Sequence, residues 1–392
     1  MTSYSPETQR IFDYIGRFLP EMVDIRHDIH AHPELSYEEH RTAALVADLL
    51  KQWGYEVATG IGKTGVVGRL KVGDGTKSIG IRADFDALPL QEMTNLPYQS
   101  QYSGRMHACG HDGHTTMLLA AARYLSETKN FNGTLNLIFQ PAEEGGAGAK
   151  AMIDDGLFKK FPVDAVFGMH NWPNGKLGAL AARSGPFFAA DGGFKLTIRG
   201  KGGHGASPDA TVDPIIVGAS IVQALQTVVS RNVSPLDSAV ITVGSFQSGF
   251  APNVIPAKAE LLVTVRSYTQ EVRALLRKRI EEVVTHQAQS FGAEVEFAYT
   301  VGYPALVNHP AQTDFALEVA ERALGTENVD RNIGLVLGSE DFSYMLEECP
   351  GCYLLIGNGP CATIHSPHYD FNDDLIPIGG CYWARLTEEF LR

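Results

Sequence analysis

Val46, Leu49, Leu50 and Trp53 recur at i, i+3, i+4 and i+7, the spacing of one helical face, and Gly54 stops the run. Ser36 followed by Glu39 reads as a capping box, so the pattern predicts a helix over 36–53. The stretch GVVGRLKVGDGTKSIGIRADFDALP reads as two strands joined at Gly73-Asp74-Gly75. TTMLLAAARYL predicts a helix, TLNLIFQ a strand, GAKAMIDDGLF a helix and VDAVFGMH a strand. Strand and helix alternate, which predicts an α/β layer around a mixed, largely parallel sheet flanked by helices.

From about residue 187 the pattern changes. FKLTIRG, AVITVGSF, AELLVTVRS and AEVEFAYTV read as strands, and PIIVGASIVQALQTVV and EVRALLRKRIEEVVTHQAQ as helices. Their order is β-α-β-β-α-β, a split-βαβ α+β domain. Helix, strand and helix signals then return in PAQTDFALEVAERAL, CYLLIGNG and GGCYWARLTEEFL. The expected organisation is a discontinuous main domain, 1–186 and 301–392, carrying an inserted domain over 187–300.

Composition changes this picture little. Hydrophobic residues make up 44% and charged residues 20% of the 392, the balance of a globular chain long enough for a large core. The net charge of −13 and the lack of a basic stripe argue against a nucleic-acid partner. The opening MTSYSPETQRIFDYIGRF has no apolar core of a signal peptide. No uninterrupted apolar run approaches eighteen residues, so no membrane span is expected. Five scattered cysteines point to a reducing, cytoplasmic setting.

Candidate chemistry collects just after strands of the main domain, where open α/β sheets bind ligands. Asp84 and Asp86 end GIRADFDALP; Cys109 and His111 lie in MHACGHDGH; Glu143 and Glu144 follow TLNLIFQ; His170 ends VDAVFGMH; His365 follows CYLLIGNG. Cys109 and His111, two apart, diverge on a helix but can converge in a turn at Gly110. Thiolate, imidazole and carboxylate together suit a zinc-like ion. The same nine residues read equally well as a polar helix start, with Asp112 capping a helix that begins near His114. Adjacent glutamates usually sit in solvent; here one could bind a metal while the other serves as general base towards a metal-activated water.

The segments RHDIHAHPELSYEE, RADFDALP, MHACGHDGH, FQPAEEGGAGA, GMHNWP, RGKGGHGASP, PNVIPA, SEDFS and HSPHYDFND occur in this order along nearly the whole chain. Together they resemble the hippurate hydrolase, N-acyl-amino-acid amidohydrolase and indole-acetyl-amino-acid hydrolase branch of the aminoacylase-like metallopeptidases. That resemblance implies cleavage of N-acyl (acetyl, benzoyl or similar) amino acids by a site with two divalent metal ions per subunit, Zn2+ or Mn2+. It implies Cys109, His111, Glu144, His170 and His365 as ligands and Glu143 as general base. It casts the insert as a lid and the surface of a homodimer or higher homo-oligomer. Within that lid it makes His204 the group that polarises the scissile carbonyl, and Asn253 and Arg266 the holders of the substrate carboxylate. Distant relatives carry His-x-Asp where this chain has Asp84-Phe85-Asp86. The branch shares the replacement, which takes Asp84 out of the implied ligand set and leaves Asp86 to orient a histidine.

Rival readings are weaker. A metallo-carboxypeptidase or an N-acyl-diaminopimelate deacylase would use the same scaffold. Gly200, Gly202 and Gly205 spell a G-x-G-x-x-G, yet no acidic residue lies between Asp213 and Asp237, against a dinucleotide-dependent oxidoreductase. A non-catalytic binding protein should lack the base, and Glu143 is present. Cys349-Pro350-Gly351-Cys352 has no companion CxxC and reads as a turn before a strand.

Overall fold

The computed structural model describes residues 5–392; the first four residues of the N-terminal stretch read above lie outside it. The described chain divides into two compact units. One comprises residues up to Gly185 together with Val307–Gly334 and Asp341–Arg392, the other Pro186–Leu306 with Leu335–Glu340.

The larger unit is built on an eight-stranded mixed sheet. Its order is Glu56–Ile61, Gly65–Val72, Gly133–Gln140, Ser78–Asp84, Ala165–Trp172, Gly351–Gly357, Leu180–Ala181 and Val329–Asp330. The four central strands, from Gly133–Gln140 to Gly351–Gly357, run parallel. They read as near-continuous apolar runs because both faces are covered: Ile79, Ile81, Leu135, Leu137, Phe139, Phe167, Leu354 and Ile356 are all buried. The strands on either side of Gly73-Asp74-Gly75 are both present but do not pair. The strand Gly133–Gln140 lies between them, antiparallel to Gly65–Val72 and parallel to Ser78–Asp84.

Two buried helices, His111–Thr128 and Leu375–Phe390, pack in the core of this unit. Gly379 permits their close approach, since a Cβ there would stand 2.1 Å from Met117 Sδ. The helix read over 36–53 spans His40–Gln52, with Val46 and Leu50 inside. Its expected capping box is not formed. Glu34 accepts the orphan N–H groups of Arg41 and Thr42 at 2.8 Å each, and the Ser36 hydroxyl donates elsewhere. The helix read in GAKAMIDDGLF is broken at Gly156, whose φ of 86° ends Gly148–Asp154 before the short helix Leu157–Lys160.

The smaller unit has a four-stranded antiparallel sheet in the order Ala239–Ser248, Lys258–Ser267, Ala190–Arg199, Glu294–Val301. With helices Pro214–Asn232 and Gln270–Ser290, the chain order is β-α-β-β-α-β. Phe194, Leu196, Ile198, Ile221, Leu225, Leu276 and Ile280 form its core. Asp213 and Thr269 cap the two helices, accepting from Ile215 N and Val272 N. Among the described residues Pro214–Asn232 alone is long and apolar enough to cross a membrane, yet it packs Val217, Ile221, Leu225 and Val228 into this core. The glycines of the G-x-G-x-x-G open no helix: Gly203–His204 pairs with Val254–Ile255, and the helix waits until Pro214.

Candidate active site

The carboxyl ends of the parallel strands bring the candidate groups into one place. Ser78–Asp84 delivers Asp84 and Asp86, Gly133–Gln140 delivers Glu143 and Glu144, and Ala165–Trp172 carries His170 near its end. Cys109 sits in the turn before His111–Thr128, so His111 is the first helical residue. Gly110 makes that turn with φ 95°, where a side chain would be strained.

Cys109, His111 and His170 each offer a ligand atom within 4.8 Å of the others. Cys109, Glu144 and His365 form a second such group, so the two triads share the Cys109 thiol. His111, Glu143 and Glu144 form a third. Cys109 Sγ lies 3.3 Å from His170 Nε2, and His365 Nε2 lies 3.3 Å from Glu144 Oε1.

The loops that hold these groups are unusual in backbone. Ala142, Ala147 and His365 take left-handed φ values of 52°, 54° and 62°. Non-glycine residues pay for that conformation, and such outliers persist where the surroundings over-determine them. Here Glu39 Oε1 accepts from Ala142 N at 2.9 Å, Gly148 N donates to Ala142 O at 3.1 Å, and His365 N donates to Ala108 O at 2.7 Å.

Hydrogen bonds fix the imidazole tautomers. His111 Nδ1 donates to the Asp86 carbonyl at 2.9 Å and lies 3.2 Å from its carboxylate. His170 Nδ1 donates to Asn171 O at 2.7 Å. In the neutral ring of each, Nε2 is thereby the nitrogen that can offer an electron pair to an ion. Among the described residues His111 Nε2 and Glu144 Oε1 are buried without a hydrogen bond, the His365 Nε2 approach to Oε1 at 3.3 Å being an ion-pair contact only. Leaving such atoms unmet costs on the order of 1–3 kcal/mol each, and a cation between them satisfies both.

The electrostatics point the same way. Burial, with Glu144, Glu143 and Asp84 close by, pushes the Cys109 thiol well above its usual pKa. A thiolate there needs compensating positive charge. Burial alone would lower His111, but Asp84 and Asp86 lift it to about 10, so the pocket favours positive charge, carried by a proton on His111 or by an ion that displaces it. Burial and the neighbouring His114 hold His170 well below the usual imidazole range, neutral and ready to ligate. The residues present therefore fit divalent ions.

Asp84 and His114 are committed elsewhere. Asp84 is buried against Arg82 Nη1 and His114 Nδ1, 2.6 Å from each. Burial opposes its charge, but Arg82, His111 and His114 hold its pKa well below the carboxylate range. His114 Nε2 meets Asn171, so neither ring nitrogen of His114 is available. His107 is buried with neither ring nitrogen hydrogen-bonded, and burial keeps it neutral by lowering its pKa to about 4.

Asp112 does not cap the helix. No side chain caps it; Asp112 lies in the first turn, where its carboxylate takes His30 Nδ1 at 2.8 Å and Arg26 Nη1 at 3.1 Å. Arg26 and His30 are i, i+4 on helix Leu19–Ala31, a spacing that marks a shared face but not its distant partner.

Asp86 ties three pieces together. Its Oδ2 accepts from Ser36 Oγ at 2.9 Å and from Glu144 N at 3.0 Å, while Oδ1 faces His111. Replacing Asp86 by alanine is expected to weaken metal binding about 10–100-fold. Titration of the purified variant with divalent ions checks this, and unchanged affinity would remove Asp86 from the orienting role.

In the smaller unit His204 is exposed, and its Nδ1 accepts from Ala206 N at 3.0 Å. A backbone N–H can only donate, so Nε2 carries the proton and is itself a donor. Asn253 is exposed, with its carbonyl accepting from Gly205 N at 2.8 Å. Arg266 Nη1 donates to Thr264 Oγ1 and Val265 O, both at 2.9 Å. Cys349 and Cys352 are unpaired and buried, at the start of the strand Gly351–Gly357.

Known proteins share this arrangement of chain. The sequence profile described as Peptidase family M20/M25/M40 matches residues 80–389. The hippurate hydrolase of Campylobacter jejuni is 45% identical over 381 residues, covering 95% of this chain and 99% of that one. An IAA-amino acid hydrolase of Arabidopsis thaliana is 41% identical, covering 95% and 86%. A Bacillus subtilis structure described as a dinuclear metal binding peptidase of this kind superposes with a TM-score of 0.84 at 32% identity, covering 96% and 99%.

Proposed function

The chain belongs to Peptidase family M20/M25/M40, a metal-binding hydrolase acting on amide bonds, and on that premise we propose that it cleaves N-acyl amino acids to a carboxylic acid and a free amino acid. The observation that carries the reading is the pair of ligand triads meeting at Cys109, with Glu143 within reach of His111 and Glu144. In this reading Cys109, His111 and His170 hold one divalent ion and Cys109, Glu144 and His365 the other, zinc or manganese. Ions held there would supply Lewis acidity to the acyl carbonyl and to the attacking water near neutral pH.

The chain's own residues do the rest. Glu143 takes the proton of the attacking water and returns it to the leaving amine nitrogen. The His204 Nε2–H stabilises negative charge developing on the carbonyl oxygen. Arg266 and Asn253 bind the carboxylate of the amino-acid half, for which a guanidinium fork is well shaped. The relatives named for hippurate and IAA-amino acid hydrolysis support an apolar acyl group on the other half. Dimerisation through the smaller unit and a cytoplasmic setting belong to the same proposal.

Chelation tests it. Protein stripped of metal and verified as metal-free is expected to lose hydrolysis of N-acetyl-, N-benzoyl- and indole-acetyl-amino acids, and to regain it with added Zn2+ or Mn2+. Activity in the verified metal-free protein would overturn the reading. Faster turnover of dipeptides than of every N-acyl amino acid would move the assignment to a carboxypeptidase.

A further inference from the structure

Asn171 follows His170 and is fully buried. Its carbonyl accepts the His170 Nδ1 proton at 2.7 Å, which turns Nε2 towards Cys109. Its side chain reaches two of the other three ligand-bearing segments. Asn171 Oδ1 accepts from His114 Nε2 at 2.6 Å, on the helix that His111 begins, and Asn171 N lies 3.1 Å from the same nitrogen. Asn171 Nδ2 donates to Tyr369 Oη at 2.7 Å, in the segment that follows His365. The amide also fills the space beside Gly110, between Cys109 and His111: a Cβ at Gly110 would stand 2.2 Å from Asn171 Oδ1 and 2.8 Å from Tyr369 Oη.

Each clamp is itself anchored. His114 Nδ1 is held by Asp84, and Asp84 by Arg82, all three buried. Tyr369 is buried, with its N–H on Ser366 O at 3.1 Å. A network of this kind is rigid because every member would be costly to leave unpaired in a low-dielectric interior. Asn171 has no ligand role to fill, since its amide is spent on His114 and Tyr369.

We propose that Asn171 is a positioning residue: clamped by His114 and Tyr369, it sets the spacing of the three segments that carry Cys109 with His111, His170, and His365 for ion binding. This rests on the reading of those residues as ligands, and cobalt separates the two. A Co2+-loaded wild-type protein is expected to show a thiolate-to-cobalt charge-transfer band from Cys109. Asn171→Ala is expected to shift or weaken that band and to raise the Kd for Co2+ about 10–100-fold. The metal-free variant should keep the far-ultraviolet circular dichroism and cooperative melting of the metal-free wild type. His114→Gln, which breaks the clamp without touching Asn171, should move the band the same way. If the wild type shows no such band, the ligand reading falls and this proposal with it. If the wild-type band is present and both variants reproduce it with unchanged affinity, only the proposal falls. Loss of folding in both metal-free variants would also overturn it, by making Asn171 a part of the core and not of the site.

Discussion

A Glu143→Ala protein is expected to lose about 10²- to 10⁴-fold in turnover of an N-acyl amino acid while binding its metal ions as the wild type does. The reason lies in how the two adjacent glutamates are parted. Glu144 is drawn one way: its N–H is on Asp86 and its carboxylate lies beside His365. Glu143 is buried and shares a group with His111 and Glu144, but not with Cys109, the atom common to the two triads. In the proposed reading a carboxylate so placed stands beside the two metal sites without completing either, as a base towards water must. The loop has little freedom to swap the two roles, with Ala142 and Ala147 left-handed on either side and Gly145 N donating to Glu143 O at 2.7 Å. Glu143→Gln, which keeps the volume and loses the basicity, should fall as far as Glu143→Ala. Measured kcat within tenfold of wild type, at full metal content, would remove Glu143 from the chemistry.

Much of this architecture is legible in the residue pattern, and what is not has a common cause. Helices and strands with strong periodicity are local properties: Val46 and Leu50 mark a helical face wherever the helix goes. The wrong readings concern polar residues whose partners are distant in sequence. Ser36 has the spacing of a helix cap, but Asp86, fifty positions away, takes its hydroxyl. Asp112 has the chemistry of a cap, but Arg26 and His30 take its carboxylate from another helix. The pairing of Gly133–Gln140 between Gly65–Val72 and Ser78–Asp84 is likewise a choice among topologies that no local signal makes. Asn171 illustrates the same limit: an asparagine after a histidine has no spacing rule, and its importance emerges only when three segments converge on it.

Cys109→Ala is expected to cost more metal than any other single ligand change. The Cys109 sulfur is the one ligand atom that the His111–His170 group and the Glu144–His365 group have in common. On the proposed ligand set, removing it would leave each ion two protein ligands, whereas His170→Ala or His365→Ala would strip a ligand from one ion and leave the other triad whole. Bound metal, measured after exhaustive dialysis at an ion concentration that saturates wild type, should therefore fall from about two ions per chain to well under one in Cys109→Ala. His170→Ala and His365→Ala should each retain about one. Activity should collapse in all three, so metal content and not turnover distinguishes them. The thiol's surroundings sharpen the expectation. Burial and three nearby carboxylates oppose a thiolate at Cys109, so the site holds that charge only with cations beside it, and without the sulfur the ions lose their one shared anion. If Cys109→Ala keeps one tightly bound ion while His170→Ala or His365→Ala loses both, the shared position belongs to another residue. The two triads would then have to be redrawn around it.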